Sequence, residues 1–162
     1  MKVAVVSDTH GLEGYVQAAL DVCRELGVAR IIHCGDIGPA GIVDLFSEFP
    51  VDYVFGNCDG MRSGSLTQRI ESTGGVLHGW CGHLVLEGRN VLFMHGHQEE
   101  RLEQELDSGQ WDLICSGHTH QYKLVLSGKT LQLNPGAFQR RSETPGFAVV
   151  EFPSLTVVRV QL

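Results

Sequence analysis

Lys2-Val3-Ala4-Val5-Val6-Ser7-Asp8-Thr9-His10-Gly11 is the stretch on which the fold turns. Its run of Val and Ala does not alternate with polar residues, which is the pattern of a strand buried on both faces inside a parallel sheet. Such a strand delivers Asp8 and His10 at its carboxyl end, where open α/β sheets bind their ligands. Residues two apart in an extended backbone project to the same side, so the pair is placed to chelate a metal. A lone Asp-x-His is more simply an N-cap or a turn. Repetition further along the chain decides between the two.

Outward from this strand, Leu12 to Leu26 carries apolar residues at helical spacing (Leu12, Val16, Ala19, Leu20, Cys23, Leu26) and stops at Gly27. Arg30 to Cys34 predicts a second buried strand, opening onto Gly35-Asp36. A second amphipathic helix is expected from Pro39 to Phe49, closed by Pro50. Val51 to Phe55 predicts a third strand, opening onto Gly56-Asn57-Cys58-Asp59. The segment from Met61 to Gly82 is rich in Gly, Ser and Thr and predicts loop, with one short strand around Gly75 to His78. Strands are then expected at Leu84 to Glu87, at Arg89 to Met94 before His95-Gly96-His97, and at Trp111 to Cys115 before Ser116-Gly117-His118-Thr119-His120. A polar helix spans Gln98 to Leu106 between them. Ser127-Gly128-Lys129, Asn134-Pro135-Gly136 and Pro153-Ser154 divide the remainder into strands paired antiparallel.

With 162 residues, 43% hydrophobic and 19% charged, the composition is that of one globular domain with a sizeable core, and we expect a single domain over 1–162. A net charge of −7 gives no electrostatic footprint for long nucleic acid. It leaves small phosphoesters open, because bound divalent cations reverse the local sign. Met1-Lys2 leads straight into a short strand without the pattern of a signal peptide, and no apolar run is long enough for a membrane span. Five cysteines without a C-x-x-C pair predict reduced thiols and a cytoplasmic location. Homo-oligomerisation is neither specified nor opposed by these residues.

Asp8, His10, Asp36, Asn57, His95, His118 and His120 all fall at strand ends. Imidazole, carboxylate and amide oxygen together suit divalent Mn, Fe, Ni or Zn, and lack the all-oxygen cage of calcium. Seven donors exceed what one ion needs with positions left open, and suffice for two if one carboxylate bridges.

In order, Asp8-x-His10, Gly35-Asp36, Gly56-Asn57, His95-Gly96-His97 and Gly117-His118-Thr119-His120 resemble the five signature blocks of the calcineurin-like metallophosphoesterases. The short length, Gly56-Asn57-Cys58-Asp59 and Asn134-Pro135-Gly136 resemble the small bacterial and archaeal phosphodiesterase branch. The resemblance implies an α/β fold of four αββα layers, with two mixed sheets inside and helices outside. It implies one metal held by Asp8, His10, Asp36 and His120, and another held by Asp36, Asn57, His95 and His118, with Asp36 bridging. The activity so implied is hydrolysis of a small phosphodiester or phosphomonoester by in-line attack of a hydroxide bridging two divalent ions. Manganese is the first expectation for those ions, with Ni, Zn, Fe or Mg as alternatives. Asp36, Asn57, Cys58 and His97 are the catalytic candidates.

Cys58 departs from the wider family, many of whose members have a histidine after the asparagine. A thiol is a poorer proton donor to an alkoxide, so either esters with good leaving groups are preferred or water, Asp59 or His97 supplies the proton. The competing function is a catalytically weak interaction scaffold with the same fold, as in the retromer subunit that resembles this family. The filled ligand set favours the enzyme. Among the other histidines, His33 is expected in the core, and His78 and His83 in solvent. His97 either lines the pocket or supports His95, and Asn134-Pro135-Gly136 is expected to be a turn.

Overall fold

A computed structural model describes residues 1–138 and 144–162. In it β1 (Lys2–Val6) pairs in parallel with β2 (Arg30–His33), β2 with β3 (Val51–Tyr53), and β3 with the two-residue β4 (Val76–Leu77). On its other side β1 runs antiparallel to β10 (Gly146–Glu151), which runs antiparallel to β11 (Thr156–Gln161). A second sheet has the order β5-β6-β7-β9-β8, formed by Cys81–Leu86, Arg89–Met94, Leu113–Cys115, Thr130–Pro135 and Tyr122–Ser127. Its three inner strands are parallel and its two edge strands antiparallel.

The alternation of side chains across each strand builds the layers. Val3 and Val5 meet Ile32, Val91, Phe93, Leu113, Ala148 and Val150 between the two sheets. Ala4 and Val6 point the other way, against Val16, Ala19, Leu20 and Cys23 of α1 (Glu13–Leu26). Leu92, Met94 and Ile114 leave the second sheet on its far side and are covered by Leu102 and Leu106 of α4 (Glu99–Ser108) and by Trp111. The result is the four-layer αββα arrangement. Every strand of the βαβ half has its carboxyl end on the edge where β6 and β7 also end.

Two expectations are corrected. The helix expected from Pro39 to Phe49 is a single turn, α2 (Ile42–Leu45), flanked by turns. Gly41 at its start and Pro50 soon after its end leave little chain with helical propensity. The expected loop from Met61 to Gly82 contains α3 (Ser63–Ser72), a ten-residue helix after a 3₁₀ turn at Gly60–Arg62. Its apolar stripe is only Leu66 and Ile70, one turn apart and fully buried, and that suffices to dock a polar helix on the sheet. The short strand expected there is β4. The hairpin at Glu87-Gly88 turns with φ of 47° and 80°, as two-residue loops between twisted strands require.

Candidate metal centre

The first loop is fixed by backbone bonds to the second. Asp8 N–H donates to Gly35 O at 3.0 Å and His10 N–H to Asp36 O at 3.0 Å. Gly35 is obligatory on two counts. Its φ is +88°, and a Cβ there would lie 2.6 Å from Gly56 N. The third loop is therefore pressed against the second, and Cys58 N–H donates to Asp36 Oδ1 at 2.9 Å. Buried Asp59 locks both, accepting from Gly56 N–H (2.8 Å) and Ile37 N–H (3.0 Å). Burial pushes the Asp59 carboxyl up despite these bonds. Asp59 thus braces the loops.

The two sheets are joined at the same place. His95 Nδ1 lies 2.8 Å from Cys34 O, and since a carbonyl only accepts, Nδ1 carries the proton and Nε2 offers its lone pair. His118 N–H donates to Asp8 Oδ2 at 3.0 Å, and Ser7 Oγ donates to the same oxygen at 2.6 Å. The other oxygen, Asp8 Oδ1, faces His120 Nε2 at 3.1 Å, His10 Nε2 at 3.7 Å and His95 Nε2 at 3.9 Å. Asp36 Oδ2 faces His95 Nε2 at 3.5 Å and His10 Nε2 at 3.7 Å. Asp8 Oδ1 and His95 Nε2 are nevertheless buried without a hydrogen-bond partner among the described residues.

Such an arrangement calls for a cation. Two ligands each about 2.1 Å from one ion, at octahedral or tetrahedral angles, stand about 3.0–3.4 Å apart. The separations here begin at that value and slightly exceed it. The same field acts on protons. Burial alone would lower the proton affinity of His95, but Asp36 and Asp8 more than reverse it, and the carboxylate of Asp8 raises that of His120. Burial likewise opposes ionisation of Asp36, while His95 and the Cys58 N–H hold its carboxyl well below the usual range.

The donor atoms form three close groups: Asp8, His10 and His120; Asp8, Asp36 and His95; and His10, Asp36 and Cys58. His118 adjoins through its ring, 5.1 Å from that of His95. Asn57 is exposed at the rim, its Nδ2 3.5 Å from Cys58 Sγ. Cys58 is exposed, and the neighbouring Asp36 carboxylate pushes its thiol up to about 11. His97 lies on the wall, 5.6 Å from the His95 ring and 6.2 Å from that of His118, and burial lowers its proton affinity.

Five of these residues, Asp8, His10, Asp36, His118 and His120, have φ between 45° and 68°. Left-handed backbone costs an L-residue roughly 1–2 kcal/mol, and here that cost is concentrated in the one cluster of candidate ligands.

The family model of the calcineurin-like phosphoesterase superfamily domain matches residues 1–154. The chain belongs to this superfamily. Its relatives within the superfamily include the probable metallophosphoesterase YsnB of Bacillus subtilis, 31% identical over 169 residues, covering 97% of this chain and 89% of the relative. A phosphodiesterase of Methanocaldococcus jannaschii is 26% identical over 140 residues, covering 84% of this chain and 83% of its own. Among solved structures, an archaeal phosphodiesterase aligns over 100% of both chains with a TM-score of 0.93 at 23% identity, which speaks to the fold.

Two residues beside the candidate site were not among the site candidates read from the sequence. Asn134, expected only in a turn, is buried at the end of β9. Its Nδ2 donates to Gly117 O at 2.7 Å and to Thr119 Oγ1 at 3.1 Å, holding the loop of His118 and His120. Trp80, unassigned before, packs 5.8 Å from the His97 ring. The other histidines sort by burial. His33 is fully buried as expected, its Nε2 3.0 Å from Thr9 Oγ1. His78, expected in solvent, bonds the buried carboxylate of Asp52 at 2.8 Å, beside Arg30.

Proposed function

We propose that this chain is a metal-dependent phosphodiesterase that cleaves small phosphoesters by in-line displacement at a dinuclear centre. One observation carries the reading: buried Asp8 Oδ1 is ringed by three imidazole nitrogens and has no hydrogen-bond partner among the described residues. The donor set fits two divalent ions. Asp8, His10, Asp36 and His120 would hold one, and Asp36, Asn57, His95 and His118 the other, with manganese the first ion to supply. Bound divalent ions would lower the pKa of water at the site and supply positive charge for the phosphoryl oxygens.

The protein's own residues prepare this chemistry. Ser7 Oγ and His118 N–H occupy Asp8 Oδ2 and so aim Oδ1 inward. Cys34 O fixes the tautomer of His95. Cys58, neutral near pH 7, offers a thiol hydrogen bond and no positive charge at the mouth, which favours substrates whose leaving group needs little protonation. His97 on the wall is a side chain placed to move a proton there. We further hold that residues 1–162 form one domain, since Val3 and Val5 share a core layer with Ala148 and Val150. Free thiols at Cys23, Cys34 and Cys115, all buried, fit the cytoplasm.

The test is hydrolysis of bis-p-nitrophenyl phosphate by chelator-stripped protein resupplied with Mn, Ni, Zn or Mg, alongside Asp36→Ala and Asn57→Ala. Turnover restored by metal and abolished by both substitutions is expected. Folded protein that binds two ions and turns over nothing would transfer the case to the scaffold reading.

A further inference from the structure

Trp80 is a large aromatic that lies outside all of the signature blocks. Its side chain is 44% exposed, yet both of its flanks are tied to strand ends that carry site residues. On one side Gly79 O accepts the N–H of Phe55 at 2.7 Å, and Phe55 directly precedes Gly56-Asn57. On the other, Cys81 opens β5 and pairs with Met94, the residue before His95. The indole packs 5.6 Å from the Phe55 ring and 5.8 Å from that of His97. His97 in turn reaches His95 and His118. A line of rings therefore runs outward from the candidate ligands and ends in an indole that is held in place and left open.

An aromatic kept exposed by the fold forgoes burial that would stabilise it. Fixed beside a site that handles anionic esters, it presents a flat, rigid π-surface at little entropic cost. Every nucleobase has a matching face, and stacking on such a surface tolerates any base. We propose that Trp80 is a stacking surface for a planar aromatic group carried on one arm of the phosphoester. The proposal rests on the phosphoesterase reading above and names its substrate class: esters bearing a nucleobase or aryl ring, in preference to purely aliphatic ones.

The experiment uses the manganese-loaded full chain and three competitive ligands: adenosine 5′-monophosphate, phenyl phosphate and ribose 5-phosphate. Inhibition constants are measured for wild type, Trp80→Ala and Trp80→Phe. Quenching of Trp80 fluorescence is followed in a Trp111→Phe background, where it is the one remaining tryptophan. Trp80→Ala should weaken adenosine monophosphate about 5- to 150-fold, the range of base–aromatic stacking on alanine substitution. Ribose 5-phosphate should stay within about two-fold, and Trp80→Phe should recover most of the loss. Loss shared by phenyl phosphate supports a general aryl surface, and loss confined to the nucleotide supports a nucleobase. Equal loss for all three ligands, or none for any, with ribose 5-phosphate still binding the wild type in a metal-dependent way, overturns the stacking role alone. No metal-dependent binding of any ligand to the wild type overturns the phosphoesterase reading and this proposal with it.

Discussion

Replacing His33 by Gln should flatten the acid sensitivity of the fold. His33 is wholly buried against Phe46 and Tyr53, with ring centroids 5.8 and 5.7 Å away, and burial lowers its pKa from 6.5 to about 3. Below pH 6.5 the unfolded chain therefore binds a proton that folded His33 refuses until about pH 3. The unfolded state binds more protons across this window, so stability falls as the pH falls. Each unit of the gap is worth about 1.4 kcal/mol, which sets a ceiling near 5 kcal/mol and a loss of about 2 kcal/mol between pH 7 and pH 5. With a urea slope of about 2 kcal/mol/M, that loss moves the midpoint by about 1 M. Gln keeps an N–H where Nε2 meets Thr9 Oγ1 and does not titrate. Urea titrations at pH 7 and pH 5 in chelator, for wild type and His33→Gln, isolate the effect, because the other groups contribute to both proteins alike. Midpoints that fall by the same amount in the two proteins would refute the reasoning.

Three further outcomes are expected. In Gly56→Ala the new Cβ would sit inside contact distance of Asp36 Oδ1 and 2.8 Å from Asp36 Cγ, so metal-dependent turnover should be lost while circular dichroism still reports a folded chain. Asn134→Ala takes one of two donors from Gly117 O, which keeps the Thr119 N–H, and deprives the Gly136 N–H of its acceptor, which should cost about 1–3 kcal/mol in urea unfolding and weaken metal binding by calorimetry about 10- to 100-fold. Leu66→Ala should cost about 2–5 kcal/mol in urea unfolding, because the stripe that docks α3 has only one other fully buried residue, Ile70.

Much of this organisation was legible because the central strands are buried on both faces. Val3 to Val6, Ile31 to Cys34 and Val51 to Phe55 have no exposed face to fill, so they read as largely apolar runs broken by His33 and Asp52, and the polar residues just beyond their ends stand out as candidate site residues. α3 was illegible for the opposite reason: eight of its ten residues do not need burial, and two apolar side chains make too faint a period. The hairpins of β8 with β9 and β10 with β11 follow from local turns, but their allotment to different sheets depends on contacts with β7 and β1 far along the chain. Asn134 could not be singled out from its neighbours, since a turn amide and a buried amide that holds a distant loop look alike in sequence. Asp59 was noticed for its charge, and only its hydrogen bonds to Ile37, Gly38 and Gly56 reveal a structural use.

The left-handed backbone at Asp8, His10, Asp36, His118 and His120 gives the centre a one-way character. Glycine is at ease in that conformation. Once an ion no longer needs a given side chain, a drift from Asp or His to Gly at these positions relaxes the loop. Return requires a lineage to reintroduce the strain before any bound metal offsets it. Chains of this architecture can thus shed their chemistry without losing their shape, and the route back is uphill from the first step.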